Sequence, residues 1–499
     1  MKKKIVGFSG SPRNKLGSRW SNEILDDLKR IPNRDFLMTY LQLLSNRKNL
    51  DSPHDKSNKN DLNKLNIHRI KDKIHGISNS EIALIAALWA ARKRNVDFDY
   101  VSLREHFSSS GKEVAIDILK EKAMTADAIL FSGPVYFGDR SSLIQFLINT
   151  LKNDPTLLKK SQGRFYGGIS TGAKRNGGQE TSLIYQILDM ISLGFIAVGN
   201  DSDTTAQYGG TCVAGGIGSI LSDENGINTA MGVGRRLSNL ISIGAHEAEL
   251  TDKPKILFLV LQDDQNGSGV KSVEKLLKEC RLDIDGTILD VTRKHFLQCL
   301  ACDVCPDKID RDEVYRCKLG KSDDFFETHE KLMGYDAIVP VAVSMKDFTL
   351  TRTNYQIFLE RTRYLRRGDY FFTDMLVAPF IIQEIGSTEN MHIRMITSFI
   401  RHHTLISKPI IAYRNDGRII NNSDILSDFR TFVTNTRGIT AGRLADALNG
   451  GNSTLYNPVG YVVNPIKIDK EKSLAERRMM LEERNRRLQE SAKARIKLY

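Results

Sequence analysis

Two short segments, far apart in the chain, each join an apolar strand to a turn that can bind a ligand. The segment KIVGFSGSPR at residues 4–13 breaks from the strand into Ser9, Ser11 and Arg13. Hydroxyls, backbone N–H groups and a guanidinium just before a helix suit a phosphate. The segment DAILFSGPVYFG at residues 127–138 offers amides and an aromatic wall for a planar ring, through Pro134, Val135, Tyr136, Phe137 and Gly138. Both lie where parallel strands end, which is where open α/β sheets bind ligands.

A third segment, STGAKRNGGQE at residues 170–180, follows the predicted fourth strand. The three segments, in this order, resemble the NADPH-dependent FMN reductases and iron–sulfur flavoproteins, a branch of the flavodoxin-like fold. The resemblance implies FMN as cofactor and NAD(P)H as co-substrate. It also implies that the third segment contacts the flavin ring through Thr171, Gly172, Gly177 and Gly178. Because such a cofactor carries the hydride chemistry itself, no protein residue is assigned a catalytic role.

The helix that completes the phosphate site has two possible starts. Ser78, Asn79 and Ser80 followed by Glu81 are typical of a helix N-terminus and run through residues 81–94 into the second strand. We favour this start, which makes residues 14–76 an insertion that splits the phosphate loop. The alternative is the nearer polar stretch at residues 18–21. The phosphate is therefore expected on Ser9, Ser11, Arg13, Ser78, Asn79 and Ser80.

Apolar strand patterns separated by helical patterns occur twice along the chain. The first series is predicted at residues 4–10, 97–103, 127–135, 163–171 and 194–200, and the second at 255–262, 286–292, 335–344, 374–384 and 407–414. The similar spacing of the last three strands in each series indicates a tandem duplication. We predict an α/β fold of two flavodoxin-like parallel sheets, each in the order 2-1-3-4-5. The first domain would span residues 1–250, the second 254–450, and a linker and exposed basic helix 451–499.

The second domain lacks the flavin-binding residues of the first. Asp263 and Asp264 stand where a phosphate would lie, and like charges oppose its binding. Its third strand ends in VAVSMKDF, residues 341–348, instead of PVYFG, so no FMN is expected there. The helix that follows carries a basic cluster with no assigned role: Arg361, Arg363, Arg366 and Arg367.

Four cysteines follow the second strand of this domain. Cys299, Cys302 and Cys305 have the CxxCxxC spacing that brings three thiolates to one iron–sulfur cluster, and Cys317 would complete the set. This arrangement resembles that of the iron–sulfur flavoproteins, which carry a cluster at this place in the fold. The gap between Cys305 and Cys317 is longer than in the family pattern. The residues leave three outcomes open: a [4Fe–4S] cluster, zinc, or reduced thiols. Cys212 and Cys280 stand alone and are expected to be buried.

The 499-residue length, the charge and the hydropathy limit the classes of protein. With 40% hydrophobic residues and no apolar run of membrane-spanning length, we expect a cytoplasmic protein without membrane contact. The net charge of +12 is concentrated in residues 14–76, with 13 Lys/Arg against 8 Asp/Glu, and residues 470–499, with 10 against 5. Solvated helical faces explain such appendages better than an acidic or nucleic-acid partner.

The sequence thus predicts an FMN-dependent NAD(P)H oxidoreductase that passes electrons to a [4Fe–4S] cluster and on to an unidentified acceptor, possibly a protein. The family's assembly habit implies a homo-oligomer or an internal pseudo-dimer of the two domains. Two alternatives stay open. One is a dedicated electron-transfer partner of another redox enzyme, and the other is a redox-sensing protein that binds nucleic acid through its basic appendages.

Overall fold

The computed structural model describes residues 2–45, 65–66, 76–201, 206–244, 247–280, 283–302, 317–346, 352–366, 372–450 and 470–499. The chain divides into two compact units, Met1–Ser242 and Ile243–Tyr499. The boundary lies close to the joint predicted near residue 250. The carboxyl-terminal helix belongs to the second unit.

The first unit is a parallel sheet covered by helices. Its strands are β1 (Lys4–Ser9), β2 (Asp97–Ser102), β3 (Ala128–Pro134), β4 (Phe165–Gly172), β5 (Ile196–Ala197) and β6 (Gly210–Val213). Its helices are α1 (Ser18–Arg30), α2 (Arg34–Ser45), α3 (Asn79–Ala91), α4 (Ile116–Thr125), α5 (Ser142–Asn153), α6 (Pro155–Ser161), α7 (Gln179–Ser192) and α8 (Glu224–Ile243). Short 3₁₀ turns occupy Arg92–Arg94, Leu103–Glu105 and Ser219–Ser222.

The register of this sheet brings the predicted loops to one edge. β1 pairs in parallel with β2 and β3, and β3 pairs with β4. Ser9 lies opposite Ser132, and Pro134 opposite Thr171. The amino-terminal part of β4 pairs with β5, and its carboxyl-terminal part pairs with β6. The segments after β1, β3 and β4 therefore emerge together at the carboxyl edge.

Apolar burial explains this arrangement. β1 and β3 are buried almost throughout, as expected of parallel strands with both faces covered. Helix α3 is buried along its length after Asn79, which fits its nearly uniform apolar sequence. Phe8, Phe131 and Tyr166 form edge-to-face contacts in this core.

The second unit contains parallel strands and a separate antiparallel pair. Its strands are β7 (Ala248–Leu250), β8 (Lys255–Gln262), β9 (Asp285–Asp290), β10 (Ala337–Ser344), β11 (Leu376–Val377), β12 (Phe380–Glu384), β13 (Leu405–Ile406), β14 (Ile410–Asn415), β15 (Arg418–Ile419) and β16 (Ile496–Leu498). Its helices are α9 (Ser268–Cys280), α10 (Phe325–Glu330), α11 (Arg352–Arg361), α12 (Met391–Phe399), α13 (Asn422–Leu448) and α14 (Lys470–Arg495). Two 3₁₀ turns occupy Thr362–Arg366 and Ile400–His402.

β8 lies between β9 and β10, and β10 pairs along its length with β11 and then β12. β11 pairs with β13, and β12 with β14. The segment predicted as one strand at 374–384 is divided on either side of Ala378 and Pro379, because proline has no N–H for a ladder.

The last turns of the carboxyl-terminal helix are packed against the second unit. The sequence predicted an exposed helix, but these turns pack on α13 through Leu488 and fully buried Ala492. β16 then pairs antiparallel with β7. Within the described ranges, every helix is too short or too polar to cross a membrane.

Candidate functional site

The turn after β1 is organised around Asn14, which is 3% exposed. Ser9 Oγ donates to Asn14 Oδ1 at 3.1 Å, and Asn14 Nδ2 donates back to the Ser9 carbonyl at 2.9 Å. Ser11 Oγ accepts from the N–H of Arg13 at 3.2 Å. The Arg13 side chain is exposed and has no ion pair with a described residue. The turn is thus fixed from inside while its cation is available to a ligand.

The start of α3 is tied to this turn. Ser78 is its N-cap: the hydroxyl accepts from the N–H of Glu81 at 3.2 Å and donates to Asn14 Oδ1 at 2.8 Å. The Glu81 carboxylate accepts in return from the N–H of Ser78, which completes a capping box. The predicted helix start at Ser78 is therefore confirmed. Ser18 also begins a helix, α1, but without a side-chain cap.

Glu81 holds together the two ends of the interrupted loop. Besides capping α3, its fully buried carboxylate accepts from the N–H of Lys15 at 3.0 Å and of Leu16 at 2.8 Å, and from Tyr100 Oη at 3.0 Å. Burial raises the pKa of Glu81, and the N–H donors partly offset that rise. Sequence reasoning assigned Glu81 to the helix cap alone. Its contacts with residues 15 and 16 could not be predicted from the sequence, because no local sequence pattern indicates them.

Several backbone donors lie beside this turn. No described residue accepts from the backbone N–H of Ser11, Asn79 or Ser80. Ser132 Oγ donates to the Ser80 carbonyl at 2.8 Å and so ties the helix start to β3. The Asn79 side chain, expected to contact phosphate, instead donates to the Gly216 carbonyl at 2.9 Å. Helix-start amides next to an arginine are a donor set suited to a phosphate.

The loop after β3 presents its aromatic residues to solvent. Tyr136 and Asp139 exchange backbone hydrogen bonds at 2.8 and 2.9 Å, and Phe137 and Gly138 between them have φ of 52° and 81°. Two consecutive positive φ angles are those of a type I′ turn. Phe137 is fully exposed and Tyr136 is 48% exposed. A planar molecule at this edge would therefore find apolar ring surface uncovered.

The loop after β4 lies against the loop after β3. The N–H of Val135 donates to the Thr171 carbonyl at 3.0 Å. A Cβ on Gly178, whose φ is 94°, would come within 2.8 Å of Gly138 Cα, so only glycine permits this approach. Gly172 and Gly177 are likewise enclosed, by the Gln179 side chain and the Lys174 carbonyl. Thr171 Oγ1 is buried, and no described residue forms a hydrogen bond with it. A bound molecule with a polar edge would satisfy it.

Behind this loop lies a cavity of about 450 Å³ that sequence reasoning missed. Arg175 borders it, donates to the Thr211 carbonyl at 3.0 Å and pairs with Asp223. Asp223 also accepts from the N–H of Val213 in β6. The ion pair therefore holds the loop after β4 against β6.

The corresponding turn of the second unit is occupied by the protein itself. The Asp263 carboxylate accepts from the N–H of Gly269 at 2.7 Å and of Val270 at 3.1 Å, at the start of α9. Asp264 accepts from the N–H of Ser268 at 3.0 Å and pairs with Arg414 at 2.7 Å. Burial raises the pKa of Asp263. For Asp264 burial opposes ionisation, but Arg414 and the N–H donors hold its pKa below its usual value. The helix-start amides thus already bind carboxylates.

The cysteine group is only partly described. Cys299, Cys302 and Cys317 are half-buried free thiols, and Cys305 lies outside the described residues. In the described part of the chain, no three Cys, His, Asp or Glu side chains are grouped as metal ligands. Cys212 and Cys280 are buried, as predicted.

The parallel sheet and its three edge loops define the first unit as a flavodoxin-like α/β protein. Residues 73–202 match the NADPH-dependent FMN reductase family, which confirms the predicted resemblance. An iron–sulfur flavoprotein of Methanocaldococcus jannaschii is 29% identical over 192 residues, covering 34% of this chain and 98% of its own length.

Two further relatives are covered over less of their length. A quinone-type NAD(P)H dehydrogenase of Solidesulfovibrio magneticus is 31% identical over 24% of this chain and 64% of its own. An iron–sulfur flavoprotein of Methanosarcina thermophila is 32% identical over 25% of this chain and 59% of its own. The family match and the names of these relatives agree with the predicted class of NAD(P)H-dependent FMN oxidoreductase.

Proposed function

We propose that the first unit binds one FMN and accepts hydride from NAD(P)H, and that its electrons pass through a cluster in the second unit to an acceptor. The observation that carries this proposal is the meeting of three loops at one sheet edge, linked by Asn14, Ser132 and the Gly138–Gly178 contact. When bound, FMN supplies the hydride acceptor, and it can release electrons one at a time. The protein's part is to hold and orient it.

The phosphate end of FMN fits the donors of the β1 turn and the α3 start. The N–H groups of Ser11, Asn79 and Ser80 have no acceptor among the described residues, and the exposed Arg13 can add a charge-assisted contact. Ser9 and Ser78 act differently in this proposal. Their hydroxyls bond Asn14, so they position the turn.

The ring end fits the loops after β3 and β4. The loop from Pro134 to Gly138 supplies the N–H groups of Phe137 and Gly138 and exposed aromatic surface, and Thr171 supplies a hydroxyl that no described residue bonds. The enclosed glycines at 172, 177 and 178 let the backbone approach closely. No acid–base side chain is needed for direct hydride transfer, so none is proposed.

For the second unit we propose a duplicated fold that has exchanged flavin for a metal centre. Its strands repeat the pairing pattern of the first unit, while Asp263 fills the helix start that would hold a phosphate. The donor set of Cys299, Cys302, Cys305 and Cys317 is suited to a [4Fe–4S] cluster. Names of relatives support the cluster, and zinc is the competing occupant.

Anaerobic purification followed by an absorption spectrum and metal analysis tests both parts. We expect one FMN per chain, with iron and acid-labile sulfide. Cys302→Ser should lose iron and sulfide but retain FMN, whereas Cys280→Ser, at a buried lone thiol, should lose neither. Zinc instead of iron would contradict the cluster, and absence of NAD(P)H-dependent flavin reduction would contradict the oxidoreductase.

A further inference from the structure

A cavity of about 340 Å³ in the second unit lies between α11 and α12, with the turns that follow them. None of the four cysteines is among its lining residues. Its lining is polar and includes Tyr355, Glu360, Arg363, Arg394, Ser398 and Arg401. The volume is at the lower end of the range for small-molecule pockets.

Three arginines on this cavity have no ionic partner among the described residues. Arg363, Arg394 and Arg401 are all exposed, and none makes an ion pair there. Glu360 is the one acidic side chain in the lining, so an excess of two positive charges remains. Of the basic cluster that begins at Arg361 in the sequence, Arg363 lines this cavity and Arg361 does not.

Arg361, next to this group in the sequence, serves a different purpose. Its guanidinium is fully buried, pairs with buried Asp323 and lies 4.6 Å from the ring centroid of Phe325. That arginine is neutralised inside the protein. Arg363, two residues later, has no such partner among the described residues, so their charge balance does not explain its place on the cavity.

Two hydroxyls join the helices that border the cavity. Tyr355 Oη and Ser398 Oγ lie 3.1 Å apart, across the gap between α11 and α12. Ser398 Oγ donates to the Arg394 carbonyl at 2.7 Å, so the phenol donates to Ser398. This pair holds the two helices together and leaves the three arginines as the charged donors of the cavity.

We propose that this cavity binds the phosphate monoester group of a small organic molecule. Guanidinium groups match phosphate oxygens in charge and in planar, paired donor geometry. Arginines near helix C-termini also stabilise helices singly, but that effect does not require three of them to share one cavity. The site does not depend on FMN binding by the first unit.

The test uses the full chain, at low ionic strength, titrated calorimetrically with glycerol 3-phosphate and with inorganic phosphate. Saturable binding is expected, tighter for the monoester because the cavity has room for its organic part. Arg394→Gln and Arg401→Gln should each weaken binding about tenfold to a hundredfold, the loss typical of one charge-assisted hydrogen bond. Glu360→Gln should strengthen binding, because it removes the opposing charge.

Arg418→Gln, an exposed arginine on β15 outside the cavity, is the matched control and should bind normally. Thermal unfolding checks that each variant is folded. Equal affinity in the Arg394→Gln and Arg418→Gln variants would overturn the proposal, as would absence of saturable binding. Inorganic phosphate binding as tightly as the monoester would overturn the ligand class. Each of these outcomes stands apart from the FMN content of the first unit.

Discussion

Single residues decide how the β1 turn meets its ligand. Ser9, Ser11 and Arg13 were singled out because their side chains offer donors, and they do lie at the carboxyl edge of the sheet. Their roles differ in a way that the sequence does not reveal. Ser9 is turned inward to Asn14, while Arg13 is exposed. Residue type indicated the chemistry, but burial assigned the part each residue takes.

Arg13→Ala should weaken FMN binding by about 1.5–3 kcal/mol, because it removes a charge-assisted contact with the phosphate. Lys15→Ala is the control, since that exposed side chain bonds no described residue and only its backbone contacts Glu81. Titration of flavin fluorescence measures both. Equal affinities in the two variants would remove Arg13 from the phosphate site.

Glu81→Gln should lower the free energy of unfolding of the first unit by about 1–3 kcal/mol. The new NH₂ group is a donor, and it would face N–H donors from Lys15, Leu16 and Ser78 that now lack a carboxylate. Urea unfolding measures the loss. The exposed Glu121→Gln should leave stability unchanged, and an equal result for both would deny the clamp.

The Glu81 contacts also show where sequence reasoning ended. A capping box joins residues three apart and is visible in the sequence, so the start of α3 was predicted correctly. The contacts to residues 15 and 16 join segments 65 or more positions apart. Such contacts depend on how the insertion returns to the sheet, and no local pattern encodes that path.

At the scale of elements, two helices compete for the phosphate site. α3 begins against the β1 turn through Ser78 and Asn14, whereas α1 begins at Gly17 with no side-chain cap. Ser78→Ala should therefore cost about 1 kcal/mol of stability and reduce FMN affinity. Ser18→Ala, at the uncapped start, should change neither. Weaker FMN binding only in the Ser18 variant would transfer the site to α1; thermal unfolding and flavin titration distinguish the cases.

Helix α9 gives a prediction with a defined pH dependence. The pKa of Asp264 is lowered, so its pair with Arg414 stabilises the folded state above the unfolded pKa and is lost as pH falls through the folded value. Arg414→Gln should reduce stability at neutral pH and flatten this acid-side decline. Urea unfolding at several pH values would show it. If the free energy of unfolding of the Arg414→Gln variant fell with decreasing pH as steeply as that of the unaltered protein, the pair would not contribute to folding stability.

Element types were largely predictable, because buried parallel strands leave continuous apolar runs in the sequence. The exceptions have physical causes. Pro379 divides a predicted strand because it lacks an N–H, and α14 is docked although its sequence is mostly charged. Its contact is made by Leu488 and small Ala492, too few residues to produce an amphipathic pattern.

At the scale of the whole molecule, residues 495–498 hold the end of α14 within the second unit. Arg495 donates to Asp336 at 2.7 and 2.9 Å and to Asp252 at 2.7 Å, and β16 pairs with β7. Burial opposes the Arg495 charge, but the two carboxylates raise its pKa. Its charge is thus committed to holding the end of α14 in place.

Arg495→Gln should lower the unfolding temperature of the second unit and leave FMN affinity unchanged, because the buried Asp336 carboxylate would lose its partner. Arg486→Gln, at an exposed arginine of the same helix, is the control and should have little effect. Calorimetry resolves the transitions, and a normal transition in the Arg495 variant would show that this contact is dispensable.

The carboxylates at the start of α9 have a consequence for how the stability of each unit depends on a bound ligand. A helix start filled by Asp263 is always occupied, since its ligand is part of the chain. On the proposed function, the start of α3 gains stability only while FMN is bound, about 2.7 kcal/mol at a hundredfold excess over the dissociation constant. Removal of FMN should therefore lower the unfolding temperature of the first unit and leave that of the second unit unchanged.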